Sequence, residues 1–127
     1  MIMELSMLFL MGIAHCETRG EKDPDHAIGK DFLSFGRYQI TAQYLNDVNR
    51  ISGKHFTMDD CYDPVKSQEM MEIYLGYYVQ RAERRTGRLL EPWEIALIHR
   101  HGPRGYERGK KDHYAVEFNS FMKKMGE

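Results

Sequence analysis

The sequence has few of the residues that would assign it to a specialised class of protein. Its 127 residues include only two cysteines, Cys16 and Cys61, which are not spaced like a metal-binding pair. The fold therefore does not depend on a disulfide framework, although the sequence leaves open whether Cys16 and Cys61 form one disulfide bond. The formal net charge is only −1, and the apolar and charged fractions are ordinary for a globular protein. We expect one folded domain over residues 1–127.

No apolar run is long enough to span a membrane. The most apolar stretch, residues 1–16, is interrupted by Ser6, Gly12 and His15 and falls short of the roughly 20 residues that a transmembrane helix needs. It carries Glu4 where a secretory signal peptide has basic residues, and His15 is a poor residue to precede a cleavage site. We interpret the stretch as a structural helix, with no recognisable signal peptide and no membrane partner.

Charge is distributed unevenly along the chain. Residues 1–80 carry 7 Lys/Arg and 12 Asp/Glu, whereas residues 81–111 carry 9 and 4. Such a basic segment either binds an anionic polymer or forms a solvated helix face. No helix-turn-helix or other nucleic-acid reader motif accompanies it, so a basic nucleic-acid-binding helical domain is only the third hypothesis for function. The nucleic-acid hypothesis rests on eight of these nine basic residues, all except Arg100: Arg81, Arg84, Arg85, Arg88, Arg104, Arg108, Lys110 and Lys111.

Apolar spacing and capping residues predict five helices and one small β element. The first helix covers residues 3–17, a polar loop follows over residues 18–30, and residues 34–40 have short β character. A second helix is predicted from Thr41 to residue 51, and a third from Asp63-Pro64 to Gly87. A fourth is predicted from Pro92 to Gly102, and a fifth begins at Asp112. The expected fold class is α+β, mainly α.

One carboxyl group lies on the apolar stripe of the first helix. Met3, Met7, Leu10, Ala14 and Glu17 recur at steps of three and four. A carboxyl group held against apolar neighbours resists ionisation, so its pKa rises towards neutrality and it becomes able to donate a proton. The alternative is a glutamate whose carboxylate reaches solvent from the last helical turn.

Four segments stand in an order that resembles the lysozyme-like superfamily. An acidic residue ends the first helix in Cys16–Gly20, and a Gly-x-x-Gln-Ile turn lies in Ser34–Ile40. A helix opens at Tyr62-Asp63-Pro64, and a Gly-Pro loop lies in Ile98–Gly105. The order is similar to that of soluble lytic transglycosylases, and more specifically to that of invertebrate-type (destabilase) lysozymes and their bacterial and phage relatives. The similarity covers about residues 5–118.

The resemblance implies a lysozyme-like domain that cleaves the β-1,4 bond between N-acetylmuramic acid and N-acetylglucosamine. Its partner is then the glycan strand of peptidoglycan, it needs no cofactor, and we expect a monomer that acts at the cell wall. Glu17 takes the place of the general acid. Among the loop carboxylates Asp23, Asp25 and Asp31, we choose Asp31 as the second catalytic carboxylate, although none has the family's spacing. A lytic transglycosylase would need no such partner, and we favour hydrolysis.

The resemblance also indicates residues that would contact the substrate. Gln39 offers a donor and an acceptor to an N-acetyl or hydroxyl group, unless its amide bonds to its own loop. Tyr38 and Tyr114 are candidates for stacking on sugar rings, with core packing as the alternative for Tyr114. The full set of expected substrate-binding residues is Ser34, Tyr38, Gln39, His99, Arg100 and Tyr114.

Arg100-His101 departs from the family, which has Asn-Gly there. An arginine cannot reproduce the neutral, two-way hydrogen bonding of an amide. If it points at Glu17, its charge lowers the pKa of the acid and opposes proton donation. The second hypothesis is therefore a catalytically inactive domain of this fold that binds glycan or protein. Because residues two apart on a helix face different sides, His99 and His101 are not expected to share a metal ion.

Overall fold

Five α-helices and one two-stranded sheet make up the fold. The structure is a computed structural model that describes residues 2–126. The elements are α1 (Met7–Thr18), β1 (Ser34–Phe35), β2 (Ile40–Thr41), α2 (Ala42–Ser52), α3 (Pro64–Thr86), α4 (Pro92–His101) and α5 (His113–Gly126). Short 3-10 helices lie at Pro24–His26, Met58–Tyr62 and Gly105–Arg108. The prediction of a mainly helical α+β protein is confirmed.

Helix α3 begins and ends where its sequence predicts. The Asp63 carboxylate accepts hydrogen bonds from the backbone N–H groups of Val65 and Lys66, and Pro64 occupies the first helical turn. At the other end Gly87 adopts a left-handed conformation, with φ of 73°, which closes the helix. One face of α3 is buried in the core and packs against α2 and α4.

The first helix is shorter than predicted, because it begins at Met7 and not at residue 3. The Ser6 hydroxyl accepts a hydrogen bond from the backbone N–H of Phe9 at 3.1 Å and thereby caps the helix. The residues before it are not helical, and the N–H of Met3 donates to the carbonyl of Glu72 on α3.

The buried face of α1 also differs from the predicted stripe. Met7 is 73% exposed, whereas Phe9 and Ile13 are buried beside Leu10. Residues 7–14 are almost all apolar, so spacing alone does not select a face; packing against α5 does. Phe118 of α5 makes an edge-on contact with Phe9 at a ring separation of 5.4 Å.

The β element is a hairpin that is anchored to the rest of the fold. Strands β1 and β2 pair antiparallel through Ser34 with Thr41 and Phe35 with Ile40. The Thr41 side chain then caps α2, as predicted, and this helix buries Tyr44, Leu45 and Val48. The turn between the strands receives a hydrogen bond from Thr18, whose hydroxyl lies 3.1 Å from the Arg37 carbonyl. This contact fixes the hairpin beside the end of α1.

Gly36 is required by a close approach within the protein. Its φ is 84°, and a Cβ atom at this position would lie 2.0 Å from the carbonyl oxygen of Cys61. Glycine therefore lets the hairpin turn pack against the Met58–Tyr62 segment.

Cys16 and Cys61 are both free thiols, so the bridge left open by the sequence is not formed. Within residues 2–126, no helix combines the length and apolar character needed to cross a membrane.

Candidate active site

A cleft of about 710 Å³ lies beside the last turn of α1. Its lining comes from the ends of α1 and α4, the start of α5, and the loop and hairpin at residues 27–39. The cleft brings together six of the residues singled out from the sequence: Glu17, Asp31, Ser34, Gln39, Arg100 and Tyr114. Because they are spread over almost a hundred positions of the chain, only the fold places them together.

Glu17 is a buried carboxyl group in the wall of the cleft. Its side chain is 4% exposed, against 50% for Arg100. The Tyr114 hydroxyl donates to Oε2 at 2.8 Å, and Nη1 of Arg100 donates to Oε1 at 3.2 Å. Both carboxyl oxygens are thus engaged, one by a half-buried phenol and the other by a cation with access to solvent.

Burial raises the pKa of Glu17 to about 7, whereas the charge of Arg100 and the hydrogen bond from Tyr114 lower it. Desolvation is the largest of the three effects, since the charged form loses its hydration inside the protein. Glu17 is therefore divided between the acid and the carboxylate near neutral pH, as a general acid requires. The contact with Arg100, which the sequence left open, is present, but its effect on the pKa does not outweigh burial.

His99 forms part of the buried wall behind Glu17. Its Nε2 lies 2.8 Å from the Tyr38 carbonyl, and its Nδ1 lies 3.0 Å from the Tyr44 hydroxyl. A carbonyl oxygen only accepts, so Nε2 carries the proton and Nδ1 accepts from Tyr44. Burial lowers the pKa of His99 to about 4, so the ring is neutral near pH 7. The ring lies 3.9 Å from Oε2 of Glu17 without adding a positive charge to the site.

Two residues expected to contact substrate do not line the cleft. The side chains of Tyr38 and His99 are buried, and they meet through the hydrogen bond to the Tyr38 carbonyl. This corrects the expectation that Tyr38 stacks on a sugar. The bond from the His99 ring to the Tyr38 carbonyl holds the hairpin turn against α4.

Ser34 and Gln39 line the cleft, but their polar groups bond to each other. The Ser34 hydroxyl donates to Oε1 of Gln39 at 2.7 Å, and Nε2 of Gln39 donates to the Gly36 carbonyl at 2.9 Å. Gln39 also has a φ of 54°, which is unusual for a residue with a side chain. Of the two alternatives for Gln39, the bond to its own loop is therefore present, and it rigidifies the hairpin side of the cleft.

Asp31 is an exposed carboxylate in the lining of the same cleft. Its Oδ1 accepts a hydrogen bond from the backbone N–H of Leu33 at 2.9 Å, which restrains the loop before β1. The second oxygen remains available to solvent or a ligand. Asp31 therefore stays a candidate for the second carboxylate.

Asp112 and Cys16 are two further ionisable residues of the cleft lining. Asp112, which caps α5 through the N–H of Tyr114, accepts from Nε of Arg108 at 2.7 Å. Burial acts to raise the pKa of Asp112, but the bond from Arg108 and the bonds from backbone N–H groups together lower it. Burial raises the pKa of the Cys16 thiol to about 12, so this sulfur stays protonated and is a poor nucleophile. Glu17 is thus the cleft group best suited to proton transfer.

Several residues that shape the site were missed by sequence reasoning. Thr18 connects the end of α1 to the hairpin, and Tyr44 fixes the tautomer of His99. Tyr44 is 55 positions from His99, so no local pattern relates them. The polar side chain of Thr18, directly after Glu17, was the one signal that the sequence offered.

The basic segment is partly neutralised. Arg88 makes two hydrogen bonds to the Glu94 carboxylate, at 2.7 and 2.8 Å, and Arg104 pairs with Glu107. With Arg108 bound to Asp112, three of the eight basic residues have carboxylate partners. A continuous phosphate-binding surface is correspondingly weakened.

The two histidines of α4 face different groups. His99 points to Tyr38 and Tyr44, whereas Nε2 of His101 lies 3.6 Å from Oδ1 of Asp112. In the part of the chain that is described, no three His, Cys, Asp or Glu side chains are grouped so that they could hold a metal ion.

No protein-family model matches the sequence, and a search of curated proteins found no match.

Proposed function

We propose that the protein cleaves the glycan strands of peptidoglycan at the β-1,4 bond that follows N-acetylmuramic acid, with Glu17 as the general acid. The observation that carries this proposal is a buried carboxyl group, with a pKa of about 7, in the wall of an open cleft. Cleavage requires a proton on the bridging oxygen while positive charge develops on the sugar. A carboxylic acid that is partly neutral at the working pH supplies that proton.

The resemblance to lysozyme-like proteins supports the choice of substrate. The cleft lies between the segment that ends at Glu17 and the Gly-x-x-Gln-Ile hairpin, two of the four segments that carry the resemblance. Its lining is rich in charged and polar residues, as suits a polar sugar chain. Membership of the lysozyme-like superfamily remains part of this proposal.

Hydrolysis is the favoured reaction, with Asp31 as the second carboxylate. In a retaining mechanism, the two carboxyl groups approach to roughly 5 Å, and the second stabilises or attacks the anomeric carbon. In the transglycosylase alternative, a hydroxyl of the muramic acid closes on that carbon, and Glu17 serves as acid and then base. Asp31 would then have no catalytic role.

We expect purified cell walls to lose turbidity with this protein and to release muramic acid with reducing ends. Mass spectrometry of the soluble fragments distinguishes the two reactions, since anhydro-muramic ends are lighter by one water. Reducing ends indicate a muramidase, and anhydro ends indicate a lytic transglycosylase. A folded protein that releases neither product would contradict the proposed function.

A catalytically inactive glycan-binding domain is the second candidate, favoured by the Arg100 contact with Glu17. The guanidinium donates to the oxygen that a substrate would need, and it lowers the pKa of the acid. Retention of the protein on insoluble cell walls, without release of fragments, is the result expected for this candidate.

Arg100→Asn should extend activity to higher pH. Arg100 lowers the pKa of Glu17, so its removal keeps the acid protonated to higher pH. We expect the alkaline midpoint of kcat/KM, which reports the free enzyme, to rise by roughly one pH unit. This is the low end of the effect of a close opposite charge, because half of the Arg100 side chain is exposed. Unchanged midpoints in a matched pH profile would show that the two charges do not interact.

A further inference from the structure

Arg100 occupies the approach to the reactive oxygen of Glu17. Oε2 is held by the Tyr114 hydroxyl, so Oε1 is the oxygen on the side of the exposed guanidinium. A general acid must come within about 2.6–3.2 Å of the oxygen that it protonates. Because Nη1 of Arg100 already lies at 3.2 Å from Oε1, the guanidinium has to move before a glycosidic oxygen reaches this position.

Arg100 is also equipped to bind a second anion. A guanidinium has five N–H donors, and its one hydrogen bond to the described residues is the bond to Glu17. The side chain is half exposed, lies in the cleft lining, and places its central carbon 5.8 Å from the centre of the Tyr114 ring. The planar fork matches a carboxylate, which it binds through two parallel hydrogen bonds.

A substrate carboxylate would compete well for this cation. Burial keeps Glu17 partly protonated near neutral pH, and a neutral carboxyl group attracts Arg100 less than an ionised one does. A carboxylate in the open cleft remains ionised under the same conditions. The exposed guanidinium can therefore exchange one partner for the other without passing through a buried, unpaired state.

We propose that Arg100 determines specificity, by binding a carboxylate of the glycan and thereby releasing Oε1 of Glu17 to the glycosidic oxygen. This inference rests on the proposed function. This role explains why an arginine lies where it would otherwise block access to Oε1 of Glu17. Muramic acid without a stem peptide has such a carboxylate on its lactyl group. Where a stem peptide is joined to that group through an amide bond, the peptide supplies the carboxylate. A chain of N-acetylglucosamine has none.

The test compares glycans that differ only in charge. Wild-type protein is assayed on peptide-free glycan strands with free lactyl carboxylates, and on the same strands after reduction of the carboxyl groups to alcohols. We expect kcat/KM to be about tenfold higher on the carboxylated strands, near the lower limit for a hydrogen bond between charged groups. Peptide-bearing strands form a third arm: a preference found only there assigns the carboxylate to the stem peptide.

Variants show whether Arg100 is the receptor. Arg100→Asn should remove the preference, and Arg100→Lys should retain part of it, because it keeps the charge without the fork. Arg84→Asn, which removes an exposed arginine of α3 outside the cleft, should keep the full preference.

The outcomes separate this inference from the proposed function. Cleavage by wild type with equal kcat/KM on all strands, or a preference that survives in Arg100→Asn, would overturn the role of Arg100 and leave the function intact. If no strand is cleaved by the folded wild type, both proposals fall. Should Arg100→Asn fail to fold, the graded loss in Arg100→Lys still decides the question.

Discussion

Glu17→Gln should reduce the rate of cell-wall lysis by about 10²–10⁴-fold, the usual contribution of a general acid. The amide has almost the same shape as the acid but has no proton to give to the glycosidic oxygen. Its carbonyl can accept from the Tyr114 hydroxyl, and its NH₂ group would then face Arg100, whose half-exposed side chain is free to turn away. The rate of turbidity loss measures the effect.

The same substitution should stabilise the protein at alkaline pH. The pKa of Glu17 is raised from 4.5 to about 7 by burial, so the folded state holds an unfavourable charge above pH 7. This cost amounts to at most about 3 kcal/mol above pH 7 and disappears as the pH falls to 4.5. The difference in unfolding free energy between Glu17→Gln and wild type should therefore grow from pH 4.5 to pH 8.

Glu4→Gln is the matched control, because Glu4 is exposed and lies outside the cleft. It should change neither lysis nor the pH dependence of stability. Lysis retained by a folded Glu17→Gln protein would remove Glu17 from the mechanism. A stability difference that does not vary with pH would instead contradict the claim that the ionised Glu17 carboxylate destabilises the folded protein.

Gly36→Ala should destabilise the protein by about 2–5 kcal/mol. Part of the cost is the left-handed backbone, with φ of 84°, which is unfavourable for any residue with a Cβ atom. The larger part is steric, since the new methyl group would lie 2.0 Å from the carbonyl oxygen of Cys61. The hairpin must then move away from the Met58–Tyr62 segment, and Gln39 moves with it.

Gly53→Ala separates the two contributions. Gly53 has φ of 74°, but no atom lies within 4 Å of a Cβ placed there. It should therefore cost only the backbone term, about 1–2 kcal/mol. Urea unfolding of both variants measures the difference. Equal losses in the two proteins would show that the hairpin relaxes freely and that Gly36 does not fix the cleft.

The helix boundaries that were predicted correctly depend on contacts within a few residues. Asp63 caps the N–H groups of the next turn, Thr41 does the same for α2, and Gly87 closes α3 with its own backbone. Where a local cap was overlooked, at Ser6, the predicted start of α1 was wrong by four residues. The class of fold follows from such contacts and from apolar spacing.

By itself, the sequence predicted the order of the elements and the segments that form the cleft, and it singled out Glu17 as the candidate acid. Only the tertiary structure decided that Glu17 is buried and that it meets Arg100 and Tyr114, which are 83 and 97 positions away. It also turned Tyr38 and His99 inward, away from the cleft. The physical reason is that desolvation and long-range pairing depend on how the helices pack. No spacing within one helix specifies that packing.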